Sequence, residues 1–173
     1  MDAIAVTDDA VHIGGNFNLV NGTTRRGSAA LSATDGNVQR WDFNQVVHNS
    51  GINAGIYSLG TDGRNIIATG YSYLSGQFEG AALIEPGTGA LAWMADCHGD
   101  SYSAAAGHGL VYVASHHHHC DNINSFPQVN STTFKYAQAF TYQATGTAQQ
   151  GLARFARPAS PLASRARSRA VPN

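Results

Sequence analysis

Two short segments concentrate the side chains that could do chemistry. Asp96-Cys97-His98-Gly99-Asp100 is followed, one strand-pair later, by His116-His117-His118-His119-Cys120-Asp121. Imidazole nitrogens, thiolates and carboxylates are the ligands of zinc and related divalent ions, so this composition could hold a metal. If the chain through the histidines stays extended, His116 and His118 point to one side and His117 and His119 to the other. The candidate ligand set is then His98, Asp100, His116 and His118, with zinc as the candidate ion. A competing reading needs no metal: the imidazoles hydrogen-bond within a polar loop around a Cys97–Cys120 disulfide.

A second candidate is aromatic. Tyr71, Tyr73 and Phe78 fall in one loop and could stack on a sugar ring, or cap the core instead. Other chemistries find no support. Gly14-Gly15 and Gly87-Thr88-Gly89 read as turns, because no helix follows either one to complete a phosphate cradle. No Gly-x-Ser-x-Gly nucleophile elbow occurs. Glu79 and Glu85 are the only glutamates, and nothing marks a pair of carboxylates for glycoside hydrolysis. Asn21-Gly22-Thr23 and Asn130-Ser131-Thr132 are formal glycosylation sequons.

The elements that must position these residues follow from composition and repetition. The chain has 173 residues, the length of one domain or a piece of one. Only 12% are charged, and Lys135 is the single lysine, which excludes long amphipathic helices and coiled coils. No apolar run is long enough for a membrane-spanning helix. The 11 acids all lie between Asp2 and Asp121, while five of the 10 basic residues, from Arg154 to Arg169, lie in the tail. The body is therefore acidic and carries no basic groove, which argues against nucleic acid as a partner.

Three stretches repeat with a period of about 45–56 residues, as propeller blades do. Ala3–Val6, Val11–Gly15, Ala29–Leu31 and Val38–Trp41 align with Ile56–Leu59, Ile66–Gly70, Ala81–Ile84 and Ala90–Trp93. A third unit follows through Tyr102–Ala105, Leu110–Ala114, Ala137–Thr141 and Ala144–Gly146. Asp-Gly or Gly-x-Gly between apolar runs marks hairpins. Each unit reads as four short strands, with Trp41 and Trp93 closing the fourth. The expected fold is all-β: a partial β-propeller of three four-stranded antiparallel blades, 3–42, 53–95 and 100–150.

Blade topology sorts the loops. Asn16–Thr24, Phe43–Ile52, Tyr71–Gly80, Asp96–Asp100 and Ser115–Thr133 emerge on one face, and only tight turns on the other. Function is expected on the long-loop face. Cys97 and Cys120 both fall there on adjacent blades, which makes a disulfide geometrically reachable and suits an oxidising compartment. Free thiols and thiolate ligation of a metal are the other two states open to them.

Three blades are fewer than a closed propeller uses, so missing blades of a larger parent are expected partners. No signal peptide precedes the first strand. Residues 151–173 form a basic segment, Arg- and Pro-rich and without acids. It reads as a disordered tail, as a frame-shifted translation, or as a polyanion-binding arm.

Val11-His-Ile-Gly-Gly-Asn-Phe-Asn-Leu-Val-Asn-Gly22, followed by Ala29–Gly36 and Trp41, resembles the repeat of secreted bacterial β-propellers of the actinobacterial type. Ala95–Ser103 with Ala114–Ile123 and Ser125–Gln128 is similar to a more specific signature of the same proteins, matching at Cys97, His98, His116, His118 and Cys120. The resemblance covers residues 3–146 and departs after Gly146. It implies an extracellular or cell-surface binding or scaffold module, contacting a polysaccharide, a wall polymer or a protein, and supplies no established reaction. A metal-dependent enzyme or metal-binding domain using the histidines is the alternative function. A fragment without independent function is a third.

Overall fold

Short runs of small and β-branched residues, punctuated by glycine turns, form strands throughout this computed structural model, which describes residues 1–73, 77–107, 110–120 and 122 and the strand backbone of 135–140, 146–148 and 153–156. The chain is all-β, built from small antiparallel sheets. The first contains β1 (Ala3–Val6), β2 (Ala10–Gly14) and, beyond a two-residue-arm hairpin of β3 (Leu19–Val20) and β4 (Thr23–Thr24), β5 (Ser28–Ser32). The second is a four-stranded meander of β6 (Ala54–Thr61), β7 (Ile66–Ser72), β8 (Gly80–Ile84) and β9 (Leu91–Asp96). The third orders β10 (Ser101–Gly107), β11 (Leu110–His117), β12 (Lys135–Phe140) and β13 (Gly146–Ala148). Among the described residues, no sheet closes into a ring.

The first unit departs from its expected four strands. Its fourth strand is reduced to one bridge, Leu31 to Val38. The chain then leaves the sheet because Trp41 turns inward and the Asp42 amide donates to Thr88 O of the second unit. A short 3₁₀ turn, Asp42–Gln45, follows and buries Phe43. Within the stretch read as a tail, β14 (Ala153–Ala156) pairs with the start of β11 through Leu110 and Val111. Residues 157–173, the Asn130 sequon and most of the loop from 121 to 134 lie outside the described residues.

The sheets stack face to face, and β7 explains how. Every residue from Ile66 to Ser72 is buried. Ile66 and Ala68 face the first sheet, in a cluster with Ala5, Ala30, Trp41, Phe43, Val47 and Ile56. Ile67 faces the third, with Leu83, Ala95, Val111, Val113 and both cysteines. A strand covered on both sides reads as a continuous apolar run, not as an alternating one. Each fully buried isoleucine or leucine contributes about 1.5–3 kcal/mol to this stacking.

Candidate functional site

The long loops meet at one edge of the stack, joined by backbone hydrogen bonds. Gly51 N donates to Asn16 O, Tyr73 N to Asn53 O, Cys97 N to Glu79 O, and His118 N to Cys97 O. Fully buried Asn49 is the tie at the centre. Its amide nitrogen donates to Tyr71 O at 3.0 Å and to Phe78 O, while its oxygen accepts from Phe78 N at 3.0 Å. Sequence reading passed over Asn49, since a lone asparagine in a polar loop carries no signal.

Cys97 and Cys120 form a disulfide, both sulfurs fully buried between the second and third sheets. Cys97 follows β9 directly, and Cys120 lies just past β11, so the strands deliver both to one end. The histidine run begins inside β11, which continues to His117. His117 points into the protein, fully buried, with its Nε2 2.7 Å from Ser101 Oγ. Both partners of this Ser–His pair are fully buried. His116 and His118 lie on the other side, ring centroids 6.1 Å apart. His116 Nδ1 meets the Tyr102 hydroxyl at 2.6 Å.

His98 stacks on His119 at 4.7 Å, and Asp100 is buried, with the His116 charge acting on it. Among the described residues, the group whose donor atoms lie within 4.8 Å of one another is Cys97, His117 and Cys120. His98 takes a left-handed backbone (φ 46°), which turns its carbonyl toward His118 N. Gly99 must be glycine, because a Cβ there would lie 2.4 Å from His116 O.

Aromatic rings form a row across the same edge. Tyr73 meets Tyr71 at 6.0 Å, Tyr71 meets Tyr57 at 4.1 Å, Tyr57 meets Tyr102 at 5.7 Å, and Tyr102 meets His116 at 5.8 Å. Two β-bulges build it. The register of β6 against β7 slips between Ile56 and Ser58, and that of β10 against β11 between Ser101 and Ser103. The extra residues are Tyr57 and Tyr102. A bulge re-aims a side chain that would otherwise obey the sheet's alternation. Tyr73 and Tyr102 are 71% and 48% exposed. Tyr71 sits in β7 and is mostly buried, serving as the row's floor. Phe78 is not part of it: it is buried edge-on against Phe43 in the core, in the space that Gly70 leaves by having no Cβ. Leu19, Val46 and Ile52 are further exposed apolar side chains on the loops of this edge.

Carboxyls flank the row. Burial raises the Asp100 pKa, with His116 opposing. Burial, then the nearby Asp100 and Asp96 charges, push Glu79 up to about 7. Tyr57 is pushed up to about 12 by burial first and by Asp100 second, so its hydroxyl stays protonated and able to donate. At the opposite edge, where only tight turns were expected, a cleft of about 680 Å³ opens between the first two units, lined by Asp8, Asp9, Thr61, Arg64 and Glu85 among others. Both Glu85 oxygens are already engaged, by Gly87 N, Thr88 N and the Thr88 hydroxyl.

No family model, no curated protein and no solved structure matches the chain. Among the described residues, no helix is long and apolar enough to cross a membrane.

Proposed function

We propose that this chain is a non-catalytic binding module, part of a secreted bacterial β-propeller, whose long-loop edge contacts a polysaccharide or wall polymer. The row Tyr73–Tyr71–Tyr57–Tyr102–His116 carries the reading. A sugar ring presents an apolar face of axial C–H groups that stacks on an aromatic ring, and hydroxyls that need donors and acceptors at the rim. The row supplies the rings, and the Tyr57 hydroxyl and half-buried Glu79 supply polar partners. Exposed Leu19, Val46 and Ile52 extend the contact along the same edge.

Three observations favour the propeller within this reading. The sheets stack face to face with their first strands β1, β6 and β10 adjacent. The hairpin turns of the first two units repeat atom for atom: Gly36 N to Ser32 O matches Gly89 N to Glu85 O, and Ser32 N to Asn37 O matches Glu85 N to Ala90 O. The outer face of the first sheet leaves Ile4 and Val6 exposed, where a further blade would cover them. The Cys97–Cys120 disulfide suits an extracellular or cell-surface location, because the cytosol keeps thiols reduced.

Co-sedimentation with insoluble peptidoglycan and with cellulose tests the reading. The chain should partition with at least one of these solids. Tyr73→Ala with Tyr102→Ala should weaken the interaction about tenfold or more, the loss expected from two exposed stacking rings. Partitioning that the double variant leaves unchanged would remove the row from the interface. Absence of binding to either solid, with capture of a protein partner through the same tyrosines, would favour a protein ligand instead.

A further inference from the structure

The buried trio of Cys97, His117 and Cys120 is used by no step of the reading above. Its donor atoms lie within 4.8 Å of one another, and all three residues are fully buried. As a disulfide the two sulfurs are poor ligands, since metal binding requires thiolates. The surroundings are nevertheless those of a ligand cage. Two sulfurs and one imidazole are held between two sheets, and the Ser101 hydroxyl at His117 Nε2 fixes the ring's orientation. Metal-ligating histidines are oriented in this way by a second hydrogen-bonding group. Backbone hydrogen bonds from Cys97 N to Glu79 O, and from His118 N and His119 N to Cys97 O, hold the loop carrying Cys97 against the histidine run independently of the S–S bond.

We propose that reduction of the Cys97–Cys120 disulfide converts this trio into a zinc site with two thiolate ligands and one imidazole. A dithiol reductant gives two electrons to the Sγ–Sγ bond and becomes a cyclic disulfide, and each cysteine sulfur takes one proton. Zn²⁺ then displaces both protons and forms two Zn–S bonds and one Zn–N bond, and a water molecule takes the fourth tetrahedral position. Ligands about 2.0–2.3 Å from zinc stand somewhat under 4 Å apart, so the two sulfurs must part and the imidazole close on them as the metal enters. The oxidised chain is locked by the disulfide and the reduced chain by the metal, at the same point between the second and third sheets. This site is distinct from the half-buried His116–His118 pair and does not depend on what the aromatic row binds.

The test uses the full chain, reduced with a trialkylphosphine under nitrogen and titrated with Zn²⁺, with metal content measured after gel filtration. One zinc per chain is expected in the reduced protein and none in the oxidised protein. Co²⁺ in place of zinc should give the ligand-field and thiolate charge-transfer bands of a tetrahedral thiolate site. Ser101→Ala should weaken zinc binding about tenfold or more while leaving stoichiometry intact. His117→Gln, which keeps a hydrogen-bonding side chain in the core, should alter the Co²⁺ spectrum, and His116→Ala with His118→Ala should leave it unchanged. A reduced chain that retains no zinc would overturn the proposal. So would zinc retained by the Cys97→Ser, Cys120→Ser variant, or by the oxidised chain, since imidazoles outside the trio would then be the ligands.

Discussion

Glu79 and Asp100 are both acids that burial makes reluctant to ionise, and the Asp100 charge adds to the effect on Glu79. The consequence for stability has a definite sign. Below about pH 4.5 Glu79 is protonated in the folded and the unfolded chain alike. Between there and about 7, the folded chain holds a proton that the unfolded chain has released, so stability falls as pH rises. Buried His12 works the other way: its pKa is lowered, and its contribution is lost as pH falls below the ordinary imidazole value. The two separate in a variant. Glu79→Gln should melt higher than the parent chain near pH 8 and no higher near pH 4, whereas equal melting curves at both would mean that Glu79 is solvated. The disulfide closes a loop of 23 residues' separation, worth about 3.5 kcal/mol in the chain-entropy account. Cys97→Ser with Cys120→Ser should lose about that much in denaturant unfolding. The pairing was readable because the repeat placed both cysteines at equivalent ends of neighbouring units. Which histidine faces inward was not readable, since alternation fixes only that His116 and His117 differ. Burial against Ser101 selects His117.

At the scale of elements, two turns of the same geometry sit in different surroundings. Gly36 and Gly89 both have positive φ, 72° and 75°. A Cβ on Gly36 would meet open space, while one on Gly89 would lie 2.6 Å from the Trp41 ring and 2.7 Å from Asp42 N. Gly36→Ala should therefore cost only the left-handed backbone penalty of about 1–2 kcal/mol. Gly89→Ala should cost clearly more, because it also pushes the first unit off the second. Similar losses for the two variants in the same unfolding experiment would contradict this packing. Hairpin turns were legible from Asp35-Gly36 and Gly87-Thr88-Gly89. The bulges were not, because a slipped register leaves no mark in composition. Tyr57-Ser58, Tyr71-Ser72 and Tyr102-Ser103 share a Tyr-Ser pair that in hindsight marks the row. The missing fourth strand of the first unit was equally hidden: Trp41 looks the same in sequence whether it ends a strand or leaves the sheet to bind the next turn.

For the molecule as a whole, stacking on both faces of the second sheet puts the long loops on one edge and the short turns on the other. That division was legible from the spacing of the repeats, and it organises everything else. The cleft at the turn edge was not legible, since it arises from the gap between neighbouring turns and from no residue pattern. The two edges are rival surfaces, one aromatic and one lined by carboxylates and Arg64. Hydrogen–deuterium exchange of the full chain, with and without soluble peptidoglycan fragments, separates them directly. The account predicts slowed exchange in residues 16–24, 43–53, 71–73, 77–79 and 98–103 at the loop edge, and none in 7–10, 61–64 and 85–88. Protection confined to the turn edge, or binding with no protection at the loops, would contradict it.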